Sequence, residues 1–79
     1  MTPDAVEQLS FEDCLMRLVG FACTVQLVSV DDRNVYSGSA LRKVRKGSIE
    51  QTKTYYCSTL IELYRLLARD AELLRAVDE

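Results

Sequence analysis

The apolar residues of this chain change their period twice, and that change limits the fold more than any other feature. Phe11, Cys14, Leu15, Leu18 and Val19 recur at i, i+3, i+4, i+7 and i+8, which is one stripe of a helix. Phe21, Cys23, Val25 and Leu27 then alternate with Ala22, Thr24 and Gln26, the pattern of a strand with one apolar face. From Leu60 the helical spacing returns through Leu63, Tyr64, Leu67, Ala71 and Leu74. Helix, strands and helix within 79 residues leave room for one sheet and one helical layer. The expectation is a single α+β domain over residues 1–79. Its order is α-β-β-β-α, a three-stranded antiparallel meander with two helices on one face.

Local chemistry sets the ends of these elements. Ser10-Phe11-Glu12-Asp13 is a capping-box variant, Leu9 and Cys14 stand where a hydrophobic staple forms, and Gly20 suits a helix end. The first helix is therefore predicted over 11–19. The alternation slips at Val28-Ser29-Val30, which reads as a bulge or as a strand end buried on both faces. Asp31-Asp32-Arg33-Asn34 is a polar turn in which Asn34 tolerates positive φ. The second strand, 35–44, contains Ser37-Gly38-Ser39-Ala40, small enough for another element to approach closely or for a bulge. Arg45-Lys46-Gly47-Ser48 is the next turn, and 49–57, rich in Thr and Tyr, is the third strand. Thr59-Leu60-Ile61-Glu62 caps the last helix, predicted to residue 77. Residues 1–9 read either as a short helix capped by Thr2 with Pro3 at its first position, or as a mobile arm.

Size adds a constraint. A domain of 79 residues buries only about 60% of its unfolded surface, so its core is marginal and a staple is expected. Cys14, Cys23 and Cys57 are odd in number and lack CxxC spacing, and Met1-Thr2-Pro3-Asp4 shows neither a basic start nor an apolar run. A cytoplasmic, reduced protein without disulfides is the expectation. No apolar stretch approaches the roughly 20 residues that span a bilayer, so no membrane association is expected. Oligomerisation is the staple that remains. Leu66, Leu73 and Val77 form a second stripe on the last helix, roughly 100° from the core stripe. Two helices of about 10 Å already cover a sheet about 10 Å between its outer strands. That stripe therefore faces the first helix or another molecule, and it is the candidate for self-association.

The chain has no His and no Trp, which excludes His-based catalysis, Cys/His zinc sites and His-ligated haem. Cys14 and Cys23 fall on apolar faces where burial raises a thiol pKa; Cys57, ahead of the last helix, is the one thiol placed for activation. Glu12 and Asp13 point apart on a helix, Asp31 and Asp32 sit in a turn, and Gly38 and Gly47 belong to no phosphate loop. The chain is expected to be no enzyme and to use no cofactor or metal.

Charge is segregated. Residues 1–32 carry six acids and one base, and 54–79 carry five acids and three bases. Residues 33–53 carry six bases (Arg33, Arg42, Lys43, Arg45, Lys46 and Lys53) against Glu50 alone. A basic hairpin suits a protein partner with an acidic surface. It also suits phosphates, with Tyr55 and Tyr56 to stack on bases. The element order resembles that of double-stranded RNA-binding domains, whose last helix opens on lysines that grip phosphates across a groove. Here that stretch reads Ser58-Thr59-Leu60-Ile61-Glu62 and has no base, so the resemblance covers element order only. The leading expectation is a small, self-associating, protein-binding regulator or inhibitor, of the sort phages, plasmids and toxin–immunity systems encode. The alternative is an RNA- or DNA-binding module using the same basic residues.

Overall fold

A computed structural model describes residues 8–44 and 47–78, with side chains described as far as Ala76. In chain order the elements are α1 (Phe11–Arg17), β1 (Ala22–Val30), β2 (Arg33–Lys43), β3 (Ile49–Gln51), β4 (Tyr55–Cys57) and α2 (Leu60–Asp78). The expected α+β order holds, with the third strand in two pieces. The expectations for residues 1–7 and for Arg45 and Lys46 lie outside the described residues.

Capping decides where α1 begins. Asp13 N–H donates to Ser10 Oγ at 3.2 Å, satisfying a backbone donor the helix cannot. The helix stops before Leu18, earlier than the periodicity suggested. Leu18 N–H is shared between the Cys14 and Leu15 carbonyls, and Gly20 at φ +91° turns the chain into β1.

β1 and β2 form a hairpin with continuous antiparallel register, from Ala22 opposite Leu41 to Val30 opposite Arg33. Its two-residue loop is Asp31-Asp32, both left-handed (φ +50° and +63°), the conformation whose twist matches the flanking strands. The positive φ thus falls on the two aspartates; Asn34 is already in β2. The expected slip at Val28-Ser29-Val30 is absent as well. Val28 and Val30 lie on the sheet face away from the helices, Val28 half-buried and Val30 exposed.

The irregularity sits instead in the third strand. Gln51 pairs with Leu41 and Tyr55 with Gly38, so residues 52–54 oppose only Ser39 and Ala40: a bulge of one extra residue. Thr52 fills the gap. Its N–H donates to Ala40 O at 2.9 Å, and its buried hydroxyl accepts from Ala40 N–H at 2.9 Å and donates to Lys53 O at 3.0 Å. The extra residue reverses the alternation. Tyr55 and Cys57 point towards the helices, while Ile49 and Gln51, also odd-numbered, point away.

Both helices lie on one sheet face. A Cβ built on Gly38 would meet Leu63 Cδ2 at 3.1 Å, so the small run in β2 is where α2 touches the sheet. On one flank of α2, Tyr55 O–H donates to Asp70 Oδ2 at 2.7 Å, which fixes that flank over β4. The other flank holds α1: Arg65 Nε donates to Leu9 O at 2.8 Å, Arg17 pairs with Glu72, and Arg75 donates to Val19 O. α1 therefore lies on the β1 side of α2 and runs parallel to it. Cys14, Leu18, Ala40, Cys57, Leu63, Leu67, Ala68 and Ala71 make the buried core, which confirms the core stripe of the last helix.

Candidate protein-binding surface

The described basic residues of the hairpin, Arg33, Arg42, Lys43 and Lys53, do not form one patch. Arg33 opens β2 and Lys43 ends it, ten residue steps or about 34 Å apart along the strand. Both are exposed. Arg42, between them in sequence, points to the helix side and is engaged there. Its Nε and an Nη contact Glu50 Oε2 at 3.3 and 3.0 Å, the Nη reaches Leu74 O at 3.4 Å, and its guanidinium lies 5.2 Å from the Phe21 ring centroid. Arg42 fastens β2, β3 and α2 together.

Lys53 is exposed at the bulge, while Tyr55 is half-buried. Burial and then the hydrogen bond to Asp70 push the Tyr55 hydroxyl above its ordinary pKa. Its ring is part of the packing around the core. Tyr56, on the opposite sheet face, is the exposed aromatic of the pair.

The stripe assigned to self-association divides. Leu66 packs against the core and is half-buried, whereas Leu73 is 61% exposed. The Val77 side chain lies outside the described residues. By helical spacing Leu66 and Leu73 share a side of α2 with Arg69 and Asp70, the flank away from α1. Leu66 and Leu73 therefore do not face the first helix. Leu73 instead rims an open depression with Lys53, Tyr55, Arg69, Asp70 and Leu74.

The larger apolar exposure lies elsewhere. Phe11, Leu15, Met16 and Val19 on and after α1, and Leu27 and Val30 on β1, are all exposed, Val19 by 64% and Leu27 by 59%. Periodicity placed most of these in the core. Leu15, Met16, Val19 and Leu27 stay uncovered because α1 leans on α2 through Phe11–Tyr64 ring contact (centroids 4.8 Å apart) and the Arg17–Glu72 pair, whereas Val30 lies on the sheet face away from both helices. Cys23, Val25 and Leu27 of β1 face the helix layer, yet Cys23 and Leu27 remain exposed. One further signal was available in the sequence: the nine residues of β1 contain no charge, no Pro and no Gly.

Burial raises the thiol pKa of Cys14, Cys57 and the partly covered Cys23, and Glu62 near Cys57 raises that thiol further. Among the described residues no group of three or more Cys, Asp or Glu is placed to hold a metal ion, and no helix is long and apolar enough to cross a membrane.

No family model, curated protein or solved structure matches this chain.

Proposed function

We propose that the protein is a small non-enzymatic regulator that acts in the cytoplasm by binding another protein through the flank formed by α1 and β1. The observation that carries this reading is the run of exposed apolar side chains there, Phe11, Leu15, Val19 and Leu27, beside an uncharged strand edge. Several large apolar side chains left exposed on neighbouring elements of a small domain mark an interaction site. Each Leu or Val covered by a partner contributes roughly 25 cal/mol per Å² removed from water. A binder of this kind regulates a larger machine by occupying its surface, and inhibition is the simplest outcome.

The dispersal of the described basic residues, Arg33, Arg42, Lys43 and Lys53, favours protein over nucleic acid. With Arg42 engaged by Glu50 and Arg33 about 34 Å from Lys43, the described hairpin presents Lys43 and Lys53 at one end.

The test is affinity capture from nuclease-treated native extract with the wild-type chain and with Leu15→Lys, a substitution at an exposed site. The expected result is one protein retained in stoichiometric amount by the wild type and released by the variant. Retention of polynucleotide with a steep salt slope, or equal retention by both chains, overturns the reading.

A further inference from the structure

The two edges of the sheet are treated differently. Unpaired edges invite pairing with other chains, and proteins guard them with bulges, lysines and short strands. The β3/β4 edge has all three: two strands of three residues, the bulge at 52–54, and exposed Lys53 within it. The β1 edge has none. Among the described residues it pairs on one side only; it is nine residues long, keeps unbroken register with β2, and carries no charge, Pro or Gly.

We infer that β1 pairs antiparallel with β1 of a second copy, centred on Gln26, so that two sheets join into one. This inference rests on the protein-binding reading above and concerns the β1 edge alone: the second copy takes that edge, and the exposed α1 side chains Phe11, Leu15 and Val19 remain for the captured partner. The strand is complementary to itself about that centre. Gln26 meets Gln26, Val25 meets Leu27, Thr24 meets Val28, and Ala22 meets Val30. No charge faces a like charge anywhere along the seam. Directly opposed residues share a face in an antiparallel pair, so both helical layers lie on the same side of the joined sheet. The exposed Leu27 of each copy is then covered by Val25 of the other. An acidic protein is a poorer occupant, because neither β1 nor the apolar side of α1 supplies a base to meet it.

The register makes the proposal specific. In a Cys23→Ser background, Gln26→Cys sits opposite its own copy with Cβ atoms about 5 Å apart. Oxidised glutathione, accepting the two electrons, then links the copies by a disulfide. Thr24→Cys faces Val28 instead, about 13 Å from its own copy and beyond disulfide reach. The expected results are a wild-type mass twice the 9.0 kDa of one chain, a monomer for Leu27→Lys with unchanged circular dichroism, and a dimer for Leu73→Lys. Cross-linking is expected for Gln26→Cys and absent for Thr24→Cys.

A wild-type monomer up to about 1 mM overturns the inference and leaves the protein-binding reading to its own capture test. A dimer lost in Leu73→Lys but kept in Leu27→Lys also overturns it, as does cross-linking of Thr24→Cys in preference to Gln26→Cys. If Leu27→Lys fails to fold, the two cysteine variants still decide.

Discussion

Replacing Gly38 by Ala tests the closest contact between α2 and the sheet. The added Cβ would lie 2.8 Å from Thr24 O, 3.1 Å from Leu63 Cδ2 and 3.1 Å from Val25 Cγ2. The two side chains can give by a few tenths of an ångström, but the Thr24 carbonyl belongs to the strand paired with Gly38 and cannot move alone. Overpacking of this kind costs about 1–3 kcal/mol. Against it stands the smaller conformational freedom of Ala in the unfolded chain, about 0.4–1 kcal/mol in favour of the variant. The backbone clash wins, with a net loss of about 1–2 kcal/mol. For a domain of this size that lowers Tm by about 4–16 °C. Thermal unfolding followed by circular dichroism reads it directly. Gly20→Ala is the control, having no atom within 4 Å of the new Cβ, so that its cost comes from φ alone. A Gly38→Ala chain that melts with the wild type or above it would refute the close approach of α2 to β2.

Thr52→Val is expected to cost about 1–3 kcal/mol in urea unfolding, because it strands the buried Ala40 N–H, while Thr52→Ser retains the bond and most of the stability. Tyr55→Phe is expected to lose about 1–2 kcal/mol by removing the hydroxyl that donates to Asp70; equal unfolding midpoints would count against that bond. Burial raises the Cys14 and Cys57 thiols, so their contribution to stability is complete below the unfolded thiol pKa of about 8.5 and is lost as pH rises through the folded values. Urea midpoints should therefore fall between neutral pH and about pH 10, and less steeply in Cys14→Ala.

The helices and the meander were legible because each follows from a period. Leu63, Leu67 and Ala71 are buried where a 3.6-residue repeat puts them, and the Ser10 cap binds the amide that its spacing to Asp13 indicates. Alternation along β1 gave the face of each residue but not its cover. That depends on which neighbour α1 leans against, and the Phe11–Tyr64 and Arg17–Glu72 contacts that decide it join residues more than fifty positions apart. Arg42 shows the same limit from the side of charge. In a run of bases it looks like a presented cation, yet strand parity turns it inward onto Glu50 and Phe21. The bulge was misplaced because Val28-Ser29-Val30 breaks a pattern of hydrophobicity, whereas 52–54 breaks a pattern of pairing.

The extra residue around Thr52 uncouples the two halves of the strand that carries it. Ile49 and Gln51 answer to solvent and Tyr55 and Cys57 to the helices, although one parity runs through all four. Deleting Lys53 would restore a single alternation and force a choice: swing the first half inward beneath α2, or roll the second half out of the interior. A single-codon loss there would act as a misalignment of the chain, and neighbouring substitutions that merely change size could not repair it.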